Sequence, residues 1–553
     1  MRHAGLILAF LAAVSSAFGQ AELRPRPSKA PRGESSAAGT RGAVVAGGAE
    51  AVAIGRDVLR AGGNAADAAA ATLLAQTVTD AHLYCFGGEV PILVYDAKAN
   101  RVEVIAGQGV APRLATREHF RGRFIPLKGI ESATVPATLD AIVTLLERHG
   151  TRRFAEVAAP TLAILDRGEF RWHADLATTM RLLVAAEATT DDRATGLRRV
   201  SDTFYRGAIA RRIDTWSRAN GGLLRYEDLA THVTRIEEPV TASYRGLTIV
   251  KCGPWTQGPA LLEALQILDG MDVRATGAGS SAAVHLGVEA LKLGFADRDA
   301  FYADPHFADV PLAELLAPSY ASGRRALIDP QRASRELRPG DPRHGRARLD
   351  PKNIRIGPGN PDASDTSTCL VSDAAGNVIA ATPSGWSGAL AGDTGVWLNS
   401  RLQSFNLWEG HPNALEPGKR PRITLTPTLV RDAKGPVRFA VSVAGGDLQD
   451  QVTLAVLMNL VDFNLDPAAA VTAPRYSTDH LVGSFGQKPP ALGSLTVDTN
   501  TPARAIAELA GRGHTVTLSR TPIGYPSALR RDPASGKVEV AGDPRTGRHA
   551  AAE

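Results

Sequence analysis

The sequence predicts a mixed α and β chain, and three patterns carry that prediction. The first is a pair of alanine-rich helical runs. Glu50 to Ala61 closes at Gly62-Gly63, and Asn64 is placed to cap a second helix running to about Val78. The second is a set of short apolar runs around turn residues. Ile92–Tyr95 and Val102–Ile105 flank Asp96–Asn100, and Thr366–Ser372 and Val378–Pro383 flank Asp373–Asn377. The third is a helix-rich middle of the N-terminal part, where Val284 to Tyr302 carries apolar residues at 284, 288, 291 and 295, an amphipathic spacing. Downstream, Arg438–Val443 reads as a buried strand. Ala444-Gly445-Gly446 reads as a corner, and Asp447 as the N-cap of a helix to about Phe463.

Composition narrows the function classes. At about 100–200 residues per domain, 553 residues make several domains or one large domain with insertions. A chain that is 44% hydrophobic and 22% charged is folded, not collagenous, coiled-coil or disordered. Sixty-two Lys and Arg against 57 Asp and Glu leave +5, a weak field over this length. No basic tract is interleaved with aromatics, so no nucleic acid partner is expected. Three cysteines, Cys85, Cys252 and Cys369, exclude a disulfide framework; either one pair bridges and leaves one free, or, the preferred reading, all three are buried thiols. The 13 histidines include no HExxH, and no CxxC occurs, so neither a metal nor another cofactor is expected.

The N-terminus reads as a targeting segment. Met1-Arg2-His3 is cationic, Gly5–Val14 is apolar, and Ala17-Phe18-Gly19 supplies small residues for cleavage after Gly19. The apolar stretch is too short to span a bilayer, and no membrane span is expected elsewhere. Residues 1–19 are therefore a signal peptide and 20–41 a disordered leader, and the protein is exported, periplasmic or secreted. Residues 42–330 form a first folded part. A loose, arginine- and proline-rich stretch at 331–365 separates it from a second part, 366–553.

Two local features carry chemistry. A three-residue hairpin loop over Ala374–Gly376 puts glycine where positive φ is wanted. That register sets Ser384 opposite Thr366, with Cβ atoms about 5 Å apart. The Gly445-Gly446 corner before a helix offers backbone N–H groups for an anion or oxyanion.

Longer segments add a resemblance. They include residues 60–67 (RAGGNAAD), 87–96 (GGEVPILVYD), 221–229 (GGLLRYEDL), 289–297 (EALKLGFAD), 421–428 (PRITLTPT) and, most telling, 365–377 (DTSTCLVSDAAGN). From about Val45 to Arg548 the chain resembles the γ-glutamyltransferase (γ-glutamyltranspeptidase) family of N-terminal nucleophile hydrolases. The resemblance implies an α+β fold, a four-layer αββα sandwich formed jointly by both parts. It implies cleavage between Asp365 and Thr366, giving a large and a small fragment that stay together as a heterodimer. An ordinary hydroxyl needs an adjacent base, and a chain-terminal threonine carries one in its own α-amine, with a pKa near 8.

By the same resemblance, Thr366 attacks a small-molecule amide, Gly445 and Gly446 hold the oxyanion, and Ser384 orients the nucleophile. The substrate-facing positions fall on Gln108, Arg113, Trp386, Arg401, Ser404 and Thr424. Several depart from the family pattern. Gln108 stands where an arginine grips the substrate carboxylate, Ser404 where an acid binds the α-amino group, and Ile423-Thr424 where a serine pair lies. Exchanging a guanidinium for an amide removes the charge and the bidentate fork. Three functions remain open: a γ-glutamyl hydrolase or transferase, an amidohydrolase of the same fold with another acyl group, and an uncleaved non-catalytic binding protein. Trp255 and Trp386 either line an apolar acyl pocket or are buried structural residues.

Overall fold

The computed structural model describes residues 33–343, 357 and 365–553. Two seven-stranded antiparallel sheets dominate it. In the first, the strand order is Arg548–Ala552, Gly42–Gly47, Cys369–Asp373, Val378–Ala381, Val90–Asp96, Arg101–Gly107 and Arg235–Glu237. In the second it is Ser36–Gly39, Val538–Gly542, Tyr525–Arg531, Val437–Ala444, Thr428–Asp432, Leu247–Lys251 and Val240–Tyr244. Each sheet mixes strands from before residue 343 with strands from after residue 365. Gly42–Gly47 pairs with Cys369–Asp373, and Leu247–Lys251 with Thr428–Asp432.

The period-2 alternation of the strands sorts the core into three interfaces. Val44, Ala46, Ile92, Val94, Cys369, Val371 and Ile379 face helices packed on the first sheet. Their alternates Ala43, Val45, Leu93, Tyr95, Leu370, Val378 and Ala380 meet Leu429, Ala440, Leu529 and Val540 of the second sheet. The other face of the second sheet, through Val430, Val441, Val443 and Ala528, packs on a further helical layer. Three apolar interfaces between four layers are the αββα sandwich.

The helix Ala65–Thr79 is buried along its whole length against the first sheet. Its start is fixed as the sequence predicts: the Asn64 side chain accepts from Ala66 and Asp67 N–H at 2.9 and 3.0 Å, and Asp67 returns a bond to Asn64 N–H. Asp373, at the hairpin, also accepts from Ala65 N–H at 2.9 Å, tying that helix to the strand that begins near Thr366.

Several boundaries move. Within the disordered leader expected over 20–41, Ser36–Gly39 is instead an edge strand paired with Val538–Ala541, and residues 20–32 lie outside the described residues. Of the loose segment expected over 331–365, residues 331–343 are anchored, and 344–356 and 358–364 lie outside the described residues. Ala333 N–H donates to Arg512 O, Gly340 N–H to Asp297, and Arg338 pairs with Glu289. These anchors are polar and long-range, so apolar periodicity gives no sign of them. The signal peptide expected at 1–19 lies outside the described residues. The helix Ser281–Phe301 is not amphipathic: all but Ala282 is buried, because ion pairs such as Lys292–Glu289 and Arg298–Asp299 let its charged residues go inside. Leu448–Leu457 continues as a π-helix over Met458–Asp462. Asp447 does not cap it by its side chain, which instead holds Arg298 at 2.5 Å and the Ser484 N–H and hydroxyl.

Candidate active site

The hairpin register carries three polar residues into one row. Cys369–Asp373 pairs with Val378–Ala381 in the predicted register, and Gly376 has φ +91°. Continued beyond the regular strands, the same pairing sets Thr366 opposite Ser384, and Ser384 opposite Glu89 on the next strand. Directly opposed residues share a face. That face is the gap between the sheets, for Thr368 and Thr382, one step further in, bond to Ser527 and Ser442 of the second sheet at 2.8 and 2.9 Å.

Within the row, Thr366 Oγ1 lies 3.1 Å from Ser384 Oγ. Ser384 Oγ accepts from Arg401 Nη2 at 2.7 Å and donates to the carbonyl oxygen of Asp365. A serine hydroxyl has one proton, so with that proton on Asp365 the Thr366 hydroxyl is the donor to Ser384. Gly385 N–H also approaches the Asp365 oxygen, at 3.4 Å. Gly385 has φ +106°, and a Cβ there would come within 2.8 Å of the Glu89 carboxylate and 2.9 Å of Asn399 Cβ, so the position requires glycine. Cys85 Sγ donates to Gly385 O at 2.7 Å from beneath.

Behind Ser384 is a buried ion pair. Arg401 Nε and Nη2 meet Glu89 Oε1 at 2.6 and 2.5 Å, and both side chains are fully enclosed. Arg401 Nη2 is also 3.7 Å from Asp365 Oδ2, which accepts from Ser400 Oγ at 3.3 Å. Burial lifts Glu89 to about 7, against the pull of Arg401. Burial raises Asp365 too, opposed by Arg401 and Lys128. On the other side of Thr366, Arg548 Nη2 donates to its carbonyl at 3.2 Å and lies over the Tyr525 ring. Gln76 Nε2 reaches Ser367 Oγ and Thr368 O.

The remaining predicted residues divide. Gly445 and Gly446, with φ +135° and +60°, follow the second-sheet strand Val437–Ala444. The Asp365 carbonyl is met by Ser384 and Gly385 and not by this corner. Gly445 instead borders a cavity of about 400 Å³ shared with Leu448, Leu481, Phe485 and Tyr525. Phe485 packs under Arg401, 5.6 Å from ring centre to guanidinium, so the cavity adjoins the Thr366 row from the second-sheet side. Arg401, expected on the substrate, holds Ser384 and Glu89. Arg113 is held by Asp228 at 3.2 Å. Gln108 turns its amide nitrogen to Gly109 O, and its buried Oε1 has no partner among the described residues. The hydroxyls of Ser404 and Thr424 and the indole nitrogen of Trp386 are likewise buried and unpartnered there. Trp386 packs 5.9 Å from Trp397, with the Lys128 ammonium 5.5 Å above its ring.

Trp255 belongs to the core between the sheets, with its Nε1 on Glu237 at 2.6 Å, so it is structural. All three cysteines are buried free thiols. Sequence reasoning assigned no role to Glu89, Gly385 or Arg548. Glu89 alone left a signal, an acid between Gly87-Gly88 and the apolar run Val90–Val94. A second acidic and imidazole cluster, His285, Glu289 and His514, is closed by its own contacts. The two imidazoles bond each other at 2.8 Å, and Glu289 is held by Lys292, Arg338 and Ser334 N–H. Two cations on its one carboxylate make it a poor place for a metal ion. No helix among the described residues is long and apolar enough to cross a membrane.

The chain is similar to known proteins along most of its length. A family model described as gamma-glutamyltranspeptidase matches residues 51–192 and 170–553. The Acylase ACY 1 proenzyme of Pseudomonas sp. (strain SE83) is 30% identical over 541 residues, 90% of this chain and 91% of that protein. The Glutathione hydrolase-like YwrD proenzyme of Bacillus subtilis (strain 168) is 30% identical over 526 residues, 89% and 94% of the two chains. Among solved structures, a cephalosporin acylase from Bacillus halodurans superposes with a TM-score of 0.79 at 26% identity, covering 96% of this chain and 99% of that one.

Proposed function

Because the chain belongs to the γ-glutamyltranspeptidase family of hydrolase proenzymes, we propose that it is an exported amide hydrolase and acyltransferase that cuts itself between Asp365 and Thr366. The observation that carries this reading is the Thr366 hydroxyl, Ser384 and the Asp365 carbonyl converging in one buried row. Thr366 Oγ1 adds to the Asp365 carbonyl carbon while its proton passes to Ser384, whose own proton moves to the carbonyl oxygen. The tetrahedral adduct breaks its C–N bond, the nitrogen regains a proton, and Asp365 is left as an ester on Thr366. Water hydrolyses the ester, freeing the Asp365 carboxylate and the threonine hydroxyl beside the α-amine that C–N cleavage has already released.

That amine is the base that self-cleavage creates. In the mature enzyme it takes the Thr366 proton as Oγ1 attacks a substrate amide and returns it to the leaving amine. Water or another amine then accepts the acyl group. Gly445 and Gly446 serve the oxyanion of this second reaction from the cavity side, and that cavity receives the leaving amine. The interleaved strands of both sheets hold the two fragments together as a heterodimer.

Between the two acyl classes, the site favours an acylase over a γ-glutamyl enzyme. Gln108 is neutral, Arg113 is committed to Asp228, and Ser404 brings no charge for an α-amino group. The expected result on a denaturing gel is two bands for the wild-type protein, with Thr366 first in the sequence of the smaller one. Thr366→Ala is expected to remain a single chain without amidase activity. An unbroken wild-type chain overturns the reading. Cell fractionation tests export: material confined to the cytoplasm overturns it.

A further inference from the structure

Arg548 stands against Thr366 without an acid of its own. It is buried, and its guanidinium meets two carbonyls and a ring: Thr366 O at 3.2 Å, Thr546 O at 3.4 Å and the face of Tyr525 at 5.6 Å. Its Nε has no partner, and no carboxylate lies within ion-pair distance of it among the described residues. A buried cation left without a counter-ion is costly. This one spends its shorter bond on the residue that carries the reaction. The contact does not depend on the Asp365–Thr366 bond. Ser367 N–H donates to Pro383 O at 2.8 Å, so the Thr366–Ser367 peptide is gripped through its oxygen by Arg548 and through its nitrogen by Pro383. Arg548 itself is fixed at the start of its strand, opposite Gly47.

A residue's own nitrogen and carbonyl oxygen are at most about 3.6 Å apart, so Arg548 Nη2 lies within about 7 Å of the nitrogen that cleavage turns into an amine. The other charges there do not offset it. Arg401, on the far side, is matched by Glu89. Asp365, which faces Arg401 and Lys128, becomes the end of the other fragment once the bond is cut. Asp80 and Asp543 act on Arg548 only at longer range. Burial raises the Asp80 carboxyl and lowers the neighbouring His82, and His549 adds no acid. A nearby cation disfavours the ammonium form of an amine. A general base works best with its pKa near the working pH, and an ordinary α-amine lies at 7.7–8.0. We propose that Arg548 is the positioning residue that holds the freed Thr366 α-amine as the unprotonated base at neutral pH, while fixing the peptide that carries it. The inference rests on Thr366 as the released nucleophile and names what sets its base.

The test titrates that amine directly. Folded, processed enzyme is pulsed with acetic anhydride across a pH series, and acetylation of the small fragment's first residue is read by mass spectrometry. Because Glu89 is pushed up to about 7 in the uncut chain, activity alone does not isolate the amine. The wild-type midpoint is expected near pH 7, about one unit below an ordinary α-amine. Arg548→Gln is expected to return it to about 8, and Arg548→Lys, which keeps the charge, to hold it near the wild-type value. Arg548→Gln should still cut itself, since the precursor has a peptide nitrogen there and no amine to tune. Its kcat/KM on an amide that wild type cleaves should fall about fivefold at pH 7, a deficit that shrinks by about pH 9. A guanidinium that only braces the strand would lower kcat/KM at every pH and leave the midpoint where it was. Equal midpoints in wild type and Arg548→Gln overturn the inference. Should that variant fail to fold or to cut itself, the wild-type midpoint decides alone, and a value of about 8 or above overturns the inference. Both results leave Thr366 as the nucleophile. An uncut wild-type chain, with no amine to label, overturns the self-cleavage reading and this inference with it.

Discussion

Two fully buried ion pairs sit in the two sheets, and they are spent differently. In the second sheet, Lys251 gives its three protons to Thr426 O, Thr428 Oγ1 and Asp450 at 2.8–2.9 Å, so the cation is closed on every side. In the first, Arg401 gives Nε and Nη2 to Glu89, directs Nη2 on to Ser384 Oγ, and keeps Nη1 unpaired. Burial and charge are equal in the two cases, so neither marks a functional site by itself. The mark is an incompletely spent donor set aimed at a hydroxyl beside a peptide carbonyl. Desolvation makes that residual valence costly to leave unused, which suits a place that must receive a substrate.

Breaking each pair tests this contrast with the largest effect. Removing one partner of a buried pair costs about 3–5 kcal/mol. Glu89→Leu and Lys251→Met should therefore lower the denaturant midpoint by similar amounts. Only Glu89→Leu should also leave the chain uncut, because only there does the orphaned cation let go of Ser384. Equal processing of both variants, read on a gel after expression at low temperature, would remove the distinction.

A subtler change sharpens it. Gly385→Ala forces a side chain onto a backbone at φ +106° and into the Glu89 carboxylate, a strain of about 1–3 kcal/mol. Because Gly385 N–H faces the Asp365 carbonyl, the expected result is slowed self-cleavage from a folded precursor, followed as band conversion with time. Unchanged cleavage would mean that this N–H does not matter to the reaction.

The smallest effect is in pH. Burial raises Glu89 from its ordinary 4.5 to about 7 in the uncut chain. The folded state then binds this proton more tightly than the unfolded one. Its contribution to stability is whole below about pH 4.5 and is lost as pH rises through 7, by about 1 kcal/mol per unit. In an uncleavable Thr366→Ala background, Glu89→Gln should flatten that part of the curve of unfolding free energy against pH. A slope that survives the substitution belongs to another group.

What was legible depended on distance along the chain. The Asn64 cap, the turn at Gly376 and the pairing of Thr366 with Ser384 involve residues within about twenty positions of one another. Turn chemistry and period-2 alternation fix such pairings without help from the rest of the molecule. The motif around Thr366 also carried the family, and with it the four layers. The site's electrostatics were not legible in the same way. Glu89 and Arg401 are 312 residues apart, and Arg548 reaches Thr366 across 182. Arg401 read from sequence as a residue for substrate, and Asp447 as a helix cap. Arg401 also holds Glu89 and Ser384, and Asp447 holds Arg298 and Ser484, partners that no local pattern names.

The sequence by itself therefore determined which threonine heads the hairpin and which serine faces it, because short loops leave few registers to choose from. Only the tertiary structure decided which charges stand behind them, whether Trp255 lines a pocket or fills the core, and which carbonyl the Ser384 hydroxyl meets. The reason is physical: a side chain's partner across two sheets is set by how whole layers stack, and that is a sum over many distant apolar contacts, not a property of any one segment.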